Sequence, residues 1–281
     1  MNLLKLKQKL KEVEKVKKNH DKFRTWSIKK ALEDQGLTPR YNQIRRLNID
    51  IANQYSKESI ESEYIKTKVL ALHSFQMALF AQFINYQEEK KWNIIDLGDS
   101  SGNHSRYIKK LFDKHEFFTV GVNNDKKAIE RINNNNSIGC HSSIESYISC
   151  YRNSDSNQIL ILLMLETLEH LDNPIGVLKD IRTNMNSEAL IVTVPFVRRS
   201  KVGLHYLRNN LKTDKEVSQE NNHIFELSPD DWMLLFKYCG FKVERAFIYY
   251  QYPCWTPFLR YYWQAFDFEG FAGFILNYEK G

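Results

Sequence analysis

Short apolar runs alternate with amphipathic stretches from Lys91 to the end of the 281-residue chain. Apolar runs bounded by polar residues predict strands, and the stretches between them predict helices, so the pattern indicates a mainly parallel sheet covered by helices. The predicted strands span residues 92–97, 117–122, 159–165, 189–194, 241–249 and 272–278, with a weaker one at 138–141. The predicted helices span residues 104–113, 126–134, 174–184 and 228–239. The predicted fold class is therefore α/β, with a doubly wound, Rossmann-like sheet.

The first part of the chain has a helical pattern throughout. Pro39 interrupts this pattern near residue 36, and the stretch from Tyr64 to Tyr86 carries apolar residues at the spacing of one long helix that covers an apolar surface. We therefore predict an N-terminal helical region over residues 1–88 and an α/β domain over residues 89–281.

A dense group of aromatic residues occupies residues 251–271, which we call the aromatic tail. Its members are Tyr252, Trp255, Phe258, Tyr261, Tyr262, Trp263, Phe266, Phe268 and Phe271. The tail is either an insert that packs on its own domain, a lid over a substrate pocket, a dimer surface or a membrane-touching patch. Arg260, Asp267 and Glu269 argue against its burial in lipid.

The composition supports a buried core, since 42% of the residues are hydrophobic and 13% are aromatic. The four cysteines have no C-x-x-C spacing and are expected to be reduced thiols. The segment from Met1 to Lys7 lacks the apolar core of a secretory signal, and no uninterrupted apolar run approaches the roughly 20 residues that span a bilayer. A cytoplasmic protein without a transmembrane segment is the expectation.

The formal net charge of +6 is concentrated near the N-terminus, where residues 1–18 contain seven lysines and two glutamates. Such a basic cluster can attract phosphate-bearing partners, including nucleic acid. The same segment carries an apolar stripe at helical spacing, formed by Leu3, Leu6, Leu10 and Val13. The stripe favours a helix that packs on its own domain or on a partner chain over a nucleic-acid arm. A homo-oligomer formed through the N-terminal helices or the aromatic tail is therefore one prediction.

The clearest chemical signal follows the first predicted strand, where an acidic residue and a glycine-containing turn come directly before a helix. Gly98 and Gly102 lie in this turn, and without a Cβ atom they allow the backbone to turn tightly and approach a ligand. A strand, a glycine turn, a helix and a second strand predict a nucleotide-binding crevice. Neither glycine begins the G-x-G-x-x-G spacing of a dinucleotide fingerprint, so NAD is disfavoured.

The turn resembles motif I of the class I S-adenosylmethionine-dependent methyltransferases, of the form acid-x-Gly-x-Gly-x-Gly. Here the motif is Asp96-Leu97-Gly98-Asp99-Ser100-Ser101-Gly102, with Ser100 in place of the middle glycine. The later segments that match in order are Gly121–Asn123, Glu166–Pro174, Ile191–Pro195, His223–Trp232 and Cys239–Val243. The resemblance covers residues 91–250 and implies a seven-stranded methyltransferase sheet, an N-terminal helical extension and S-adenosylmethionine as cofactor.

The resemblance also implies which residues hold the cofactor. In the family an acidic residue at the end of the second strand binds the ribose hydroxyls, and the matching position here is Asn123. Its amide can bond a hydroxyl but brings no charge, and Asp125 lies close enough in sequence to assist. The implied cofactor-binding residues are Asp96, Gly98, Ser100, Gly102, Asn123, Asp125 and Leu165.

Carboxylates and imidazoles gather after the fourth strand, at Glu166, Glu169 and His170. The group resembles the Glu-x-x-Glu-His segment of ubiquinone-pathway O-methyltransferases. With His223 it is also similar to the Glu, Glu, His, His metal site of small-RNA 3′-terminal 2′-O-methyltransferases. The resemblance implies that these four residues bind a divalent ion such as Mg²⁺ or Mn²⁺. Two alternatives remain: His170, His223 or Glu166 acts in catalysis without a metal, or the group only positions the loop.

The resemblance implies transfer of a methyl group, most simply to a hydroxyl of a small molecule, a sugar or a glycan precursor. An RNA 2′-O-methyltransferase that uses the Glu/Glu/His/His set is the first alternative. A non-catalytic partner subunit is the second, because Ser100 and Asn123 depart from the family pattern. The insert at residues 198–222, which contains His205, is a candidate substrate loop. Either Arg198, Arg199, Lys201 and Arg208 hold an anionic acceptor there, or they form a solvated basic loop.

Overall fold

A computed structural model gives the architecture of the chain. It describes residues 3–52, 54, 60–85, 87, 91–135, 137–151, 159–203 and 222–278, with the backbone alone for residues 3–17. The strands are β1 (Lys91–Leu97), β2 (Glu116–Asn123), β3 (Ile138–His141), β4 (Ile159–Leu165), β5 (Ala189–Pro195), β6 (Lys201–Val202), β7 (Phe225–Glu226), β8 (Phe241–Tyr250) and β9 (Gly270–Tyr278). The helices are α1 (Leu3–Asp34), α2 (Thr38–Arg46), α3 (Glu63–Ile84), α4 (Asn103–Leu111), α5 (Lys126–Asn134), α6 (Ile144–Cys150), α7 (Pro174–Asn184), α8 (Pro229–Tyr238) and α9 (Leu259–Phe266).

Seven strands form one sheet in the order β3-β2-β1-β4-β5-β9-β8. Strands β1 to β5 are parallel to one another, while β9 runs antiparallel to both β5 and β8. The predicted α/β sheet and its strands are confirmed, including the weaker prediction at β3. The sequence pattern did not predict the helix α6 or the two-residue strands β6 and β7, because segments this short carry little periodicity.

The central strands are apolar along their length because helices cover both faces of the sheet. Successive residues point to opposite faces, so Ile94 packs on one side with the helix residue Phe80 of α3, and Ile95 on the other with Trp232 of α8. Helix α8 begins where its cap predicts: the Ser228 hydroxyl accepts a hydrogen bond from the Asp231 backbone N–H, and Pro229 occupies the first turn.

The predicted N-terminal helical segment is confirmed, and its helices α1 to α3 lie against the α/β part of the chain. Helix α3 packs closely on β9: a Cβ added at Gly273 would come within 2.8 Å of both Phe75 and Leu79. A larger residue there would have to displace the ends of these two side chains, so glycine suits the close approach. A domain boundary at residues 88 and 89 remains a prediction, since α3 shares its core with the sheet.

The aromatic tail contains the helix α9, which α1 anchors. The Trp263 indole N–H donates to the Ser27 hydroxyl at 3.2 Å, and the Ser27 hydroxyl donates to the Gln251 carbonyl at 2.9 Å. Leu259 and Trp263 are buried with Ile28 and Leu32 of α1. Among the helices of the described residues, none combines the length and the apolar character needed to cross a bilayer.

Candidate functional site

The crevice begins at the turn Asp96–Gly102, which we call the cofactor turn. The turn comes at the carboxyl end of β1. In the sheet β2 lies on one side of β1 and β4 on the other, so the strand order reverses at this place. Gly98 has a φ of +94° and donates its N–H to the Val122 carbonyl at 2.9 Å. Gly102 has a φ of +73° and precedes α4. Both positive φ angles favour glycine, which explains two positions of the motif.

Asp99 folds back inside the cofactor turn. Its Oδ1 accepts hydrogen bonds from the N–H groups of Ser101 at 2.9 Å and Gly102 at 2.8 Å. Burial, with the nearby charge of Asp96, raises the pKa of Asp99 to about 6. A Cβ added at Gly121 would lie 2.7 Å from Asp99 Oδ2, so Gly121 on β2 makes room for this carboxyl. Neither Asp99 nor Gly121 was predicted as a site residue.

A chain of polar contacts crosses the crevice from β1 to β5. His104 Nδ1 lies 2.8 Å from Asp96 Oδ2, and its Nε2 lies 3.1 Å from Gln76 Oε1. Gln76 in turn donates to the Thr193 hydroxyl at 3.1 Å. Burial by itself disfavours a charged imidazole, but Asp96 outweighs it and raises the pKa of His104. No role was assigned to His104 from the sequence, and Gln76, which α3 brings in from the N-terminal region, was missed.

The other predicted cofactor positions gather around the same turn. The Asn123 side chain donates to the Asp99 carbonyl at 2.9 Å and accepts from the Asp125 N–H at 2.8 Å. Asp125 caps α5 by accepting from the Lys127 N–H. The Ser100 carbonyl accepts from Arg131 at 2.9 Å. These side chains help to shape the turn, and the amide of Asn123 keeps a second hydrogen and a second lone pair for a ligand.

Glu166, the residue directly after β4, has a φ of +55°. Positive φ values outside glycine are uncommon and cluster at functional sites. Burial raises the pKa of Glu166 to about 8, and its Oε1 has no hydrogen-bond partner among the described residues. The preceding Leu165 is buried in the core beneath the crevice, so its backbone is the part nearest a ligand.

Three of the four predicted metal ligands converge beyond β4, and we call Glu169, His170 and His223 the cation cluster. One ligating atom of each lies within 4.8 Å of the others, and Glu166 does not belong to this set. The imidazole rings of His170 and His223 meet edge to face, with centroids 4.6 Å apart. The Ile224 N–H donates to the Glu169 carbonyl at 2.7 Å, which holds the two segments together.

The histidines of the cation cluster are oriented by contacts outside it. His170 Nδ1 lies 3.1 Å from the Asn222 carbonyl, which can only accept, so Nδ1 donates and Nε2 carries the lone pair. That Nε2 lies 3.8 Å from Glu169 Oε1. His223 Nδ1 lies 3.4 Å from Glu226, and the ring stacks on Phe268 of the aromatic tail at 5.2 Å. Metal-binding histidines are typically oriented through their second nitrogen in this way.

The Glu169 carboxyl is fully buried, and neither of its oxygens has a hydrogen-bond partner among the described residues. Burial, with the charges of Glu166 and Glu226, raises the pKa of Glu169 well above its ordinary value. A buried carboxylate without a partner is costly, and a bound cation would remove that cost. The cluster therefore fits a divalent ion in both its donor atoms and its charge.

In the described part of the insert at residues 198–222, Arg198 is held by other side chains. Arg198 Nε donates to Glu269 Oε1 at 3.0 Å, and the Tyr252 hydroxyl donates to the same carboxylate at 2.7 Å. Arg198 therefore anchors the aromatic tail to the loop after β5. Arg199 and Lys201 are exposed, while His205 and Arg208 lie outside the described residues.

No protein-family model matches the chain, and no curated protein matches its sequence. Solved structures match its architecture. An S-adenosylmethionine-dependent methyltransferase from Leishmania major is 11% identical, with a TM-score of 0.51 over 86% of this chain and 82% of that one. The chain has the class I methyltransferase fold. A candidate sarcosine dimethylglycine methyltransferase from Galdieria sulphuraria is 13% identical, with a TM-score of 0.50 over 76% and 86% of the two chains.

A third methyltransferase structure shows the range of chemistry among these folds. Phosphoethanolamine N-methyltransferase 2 from Haemonchus contortus, in complex with S-adenosyl-L-methionine, is 11% identical, with a TM-score of 0.50 over 73% of this chain and 52% of that one. The methyltransferase fold predicted from motif I is thus confirmed. Because an N-methyltransferase stands among the matches, the acceptor atom has to be argued from the site itself.

Proposed function

We propose that the chain is an S-adenosylmethionine-dependent methyltransferase that methylates a hydroxyl group held beside a divalent cation. The observation that carries the proposal is the cation cluster at the carboxyl end of β4, where Glu169 meets His170 and His223. The Glu169 carboxyl is buried and accepts no hydrogen bond from the described part of the chain. This end of the sheet also holds the cofactor turn, so donor and acceptor would meet in one crevice.

The charges of the crevice suit S-adenosylmethionine, whose sulfonium and ammonium groups are both cationic. Asp96 and Asp99 are buried at the cofactor turn, and Glu166 follows β4. The positive φ angles of Gly98 and Gly102 keep the turn tight and free of Cβ atoms. We assign Asn123 to the ribose hydroxyls through the hydrogen and lone pair that its internal contacts leave. Ser100, Asp125 and the backbone of Leu165 would complete the cofactor site.

The cation cluster suits Mg²⁺ or Mn²⁺, which accept carboxylate and imidazole ligands. A bound divalent ion supplies a Lewis acid that polarises a hydroxyl oxygen. Glu169, His170 and His223 would hold the ion, and the contact between His170 and the Asn222 carbonyl fixes the tautomer that binding needs. Glu166 lies outside the set of three. Its ionised form would accept the proton that the acceptor hydroxyl loses, and with a pKa of about 8 that form prevails above pH 8.

The surroundings of the cluster favour a small, ring-shaped acceptor such as a phenol or a sugar. Phe268 stacks on His223, so an aromatic face lies directly against the proposed reaction site. Flat apolar faces beside a few polar groups are typical of small-molecule pockets. Methyl transfer is an in-line displacement, so holding the acceptor at this place is the main catalytic task of the protein.

An RNA 2′-hydroxyl is the second candidate acceptor, because the same cluster and a basic N-terminal segment suit a nucleic acid. The two acceptors are distinguished by methylation assays with short RNAs and with phenolic or sugar acceptors. RNA binding would weaken steeply with added salt. Activity on RNA alone would replace the small-molecule acceptor.

The proposal is tested by separating cofactor binding from cation binding. Glu169→Gln keeps the shape of the side chain but removes the charge that we assign to the ion. Calorimetric titrations should show that the variant binds S-adenosylmethionine like the unaltered chain and has lost Mn²⁺ binding. Glu130→Gln, an exposed position on α5, is the matched control and should change neither affinity. Unaltered Mn²⁺ binding by Glu169→Gln would contradict the metal site, and absent cofactor binding would favour a non-catalytic subunit.

A further inference from the structure

Part of the aromatic tail faces solvent. Trp255, Phe258, Tyr261 and Phe266 are each between 57% and 67% exposed, while Leu259 and Trp263 anchor the same segment on α1. An exposed patch of large apolar side chains of this kind marks an interaction site more often than chance exposure.

The exposed aromatic side chains continue onto α1. Trp26 is 44% exposed, and it connects to Phe266 through ring contacts with Phe23 and Tyr262. The successive centroid distances are 5.7, 4.9 and 5.0 Å. We call the exposed set the aromatic surface, formed by Trp26, Trp255, Phe258, Tyr261 and Phe266.

The acidic residues of the tail do not face this surface. Asp267 lies between the Tyr64 hydroxyl and Lys68 Nζ, both within hydrogen-bonding distance. Glu269 is 3% exposed and is held by Arg198 and Tyr252. The structure therefore corrects the sequence argument against contact with lipid, because both carboxylates point into the protein. Residues 252–266 carry one charged side chain, that of Arg260.

Basic residues border the aromatic surface at Trp26. An open cavity of about 850 Å³ next to this indole is lined by Lys18, Lys22, Lys29 and Lys30. The wall also holds Asp21, Glu33 and Glu63, which are paired with Arg24, Lys30 and Lys29. Lys18 and Lys22 are the lysines of the wall outside these ion pairs. The N-terminal segment adds further lysines in sequence. The charge of this border complements anionic headgroups.

We propose that the aromatic surface binds the interface of a lipid bilayer that carries anionic lipids, with Lys18 and Lys22 of α1 on the headgroups. Trp and Tyr side chains prefer the boundary between headgroups and acyl chains, where an apolar ring and a polar edge are both accommodated, and Phe adds apolar surface. Exposed aromatic side chains bordered by unpaired lysines are the composition of a peripheral membrane contact. A second copy fits less well, because it would bring like charges together. The proposal is independent of the methyl-transfer proposal.

The test is vesicle flotation of the full chain with two kinds of vesicle. One is pure phosphatidylcholine, and the other contains about one-third phosphatidylserine. We expect binding to the anionic vesicles, weaker binding to the neutral ones, and loss of the difference at high salt. Tryptophan emission should shift to shorter wavelength on binding, because two of the five tryptophans, Trp26 and Trp255, are exposed.

Matched variants locate the contact. The double variant Trp255→Ala, Phe258→Ser should weaken vesicle binding at least about tenfold, because two large apolar side chains no longer insert. Lys22→Glu should weaken binding to the anionic vesicles about fivefold or more and leave the neutral ones unchanged. Leu234→Ser on α8, which is 65% exposed and remote in sequence, is the control and should bind normally.

Three outcomes would overturn the proposal. The first is equal and negligible flotation with both kinds of vesicle, although thermal unfolding shows a folded chain. The second is a concentration-dependent dimer in analytical ultracentrifugation that Phe258→Ser dissociates, which would assign the surface to a second copy. The third is binding of single-stranded RNA, but not of vesicles, that the same double variant abolishes.

Discussion

The cofactor turn and the cation cluster lie at the same end of the sheet, yet their buried carboxylates differ in their hydrogen-bond partners. At the turn, Asp96 is paired with His104 at 2.8 Å. In the cluster, Glu169 is equally buried and has no hydrogen-bond partner among the described residues. A paired group serves as fixed scaffold, whereas an unpaired one stores a cost that a ligand can relieve. Under the proposed function, the turn would be built before the cofactor arrives, and a cation would complete the cluster.

The largest expected effect is on turnover. Glu169→Gln should lower the rate of methyl transfer by about 100-fold or more, because a cation ligand is lost from the reacting centre. Single-turnover assays with labelled S-adenosylmethionine measure this rate. Glu130→Gln serves as the control on α5. Full activity of Glu169→Gln in the presence of excess chelator would remove the cation from the mechanism.

Removal of the paired carboxylate of Asp96 should instead cause a large loss of stability. Asp96→Leu leaves the buried His104 imidazole without its partner and should lower the free energy of unfolding by about 3 kcal/mol. Urea unfolding measures this difference, with the exposed Asp113→Leu as the control. Equal stability of the two variants would show that the ion pair contributes nothing to the turn.

Gly121 lies close to Asp99 of the cofactor turn, and filling this space should have a smaller effect, on cofactor affinity. Gly121→Ala places a Cβ atom 2.7 Å from Asp99 Oδ2 and should displace the carboxyl, weakening S-adenosylmethionine binding about tenfold. Gly36→Ala is the control. Its φ of +69° makes alanine strained, but no atom lies within 4 Å of the added Cβ. It should lose stability and keep its cofactor affinity. If both variants bind equally well, Asp99 does not shape the cofactor site.

Replacement of the Glu169 carboxyl should have the smallest effect, and it should stabilise the protein, whereas replacement of Asp96 destabilises it. Glu169→Leu should raise the free energy of unfolding of the metal-free protein by about 1–2 kcal/mol. Because burial and neighbouring charges raise the folded-state pKa of Glu169, the unaltered protein loses stability as pH rises from the unfolded pKa toward the folded one. The gain should therefore grow from pH 5 to pH 8. A gain that is absent, or larger at pH 5, would indicate that Glu169 is not an unpaired buried acid.

Much of the fold could be predicted from the sequence because its strands and helices carry strong periodicity. Strands β4 and β5 are almost wholly apolar, and the Ser228–Pro229 cap marks the start of α8 at the predicted place. The small elements α6, β6 and β7 were missed because a few residues do not establish a period. Gly98 and Gly102 were recognisable because positive φ leaves glycine as the residue that fits without strain.

The contacts within the site were less predictable because they join residues that are distant in sequence. Gln76 reaches His104 from α3, and no local pattern links these two residues. The inward orientation of Asp267 and Glu269 likewise depends on Lys68 and Arg198, which come from other elements. The charged residues of the aromatic tail, considered in sequence alone, therefore gave the wrong prediction about contact with lipid. The convergence of His170 and His223 was predicted because their segments resemble those of a known metal site.

The central claim is that this methyltransferase fold holds S-adenosylmethionine at the cofactor turn and a divalent cation at the cation cluster. Its most direct test is calorimetric titration of the chelator-treated protein, first with Mn²⁺ and then with S-adenosylmethionine. We predict one Mn²⁺ site per chain that disappears in Glu169→Gln, and cofactor binding that persists in both proteins. The account would be contradicted by the absence of any Mn²⁺ site in the unaltered chain, or by a site that Glu169→Gln leaves intact.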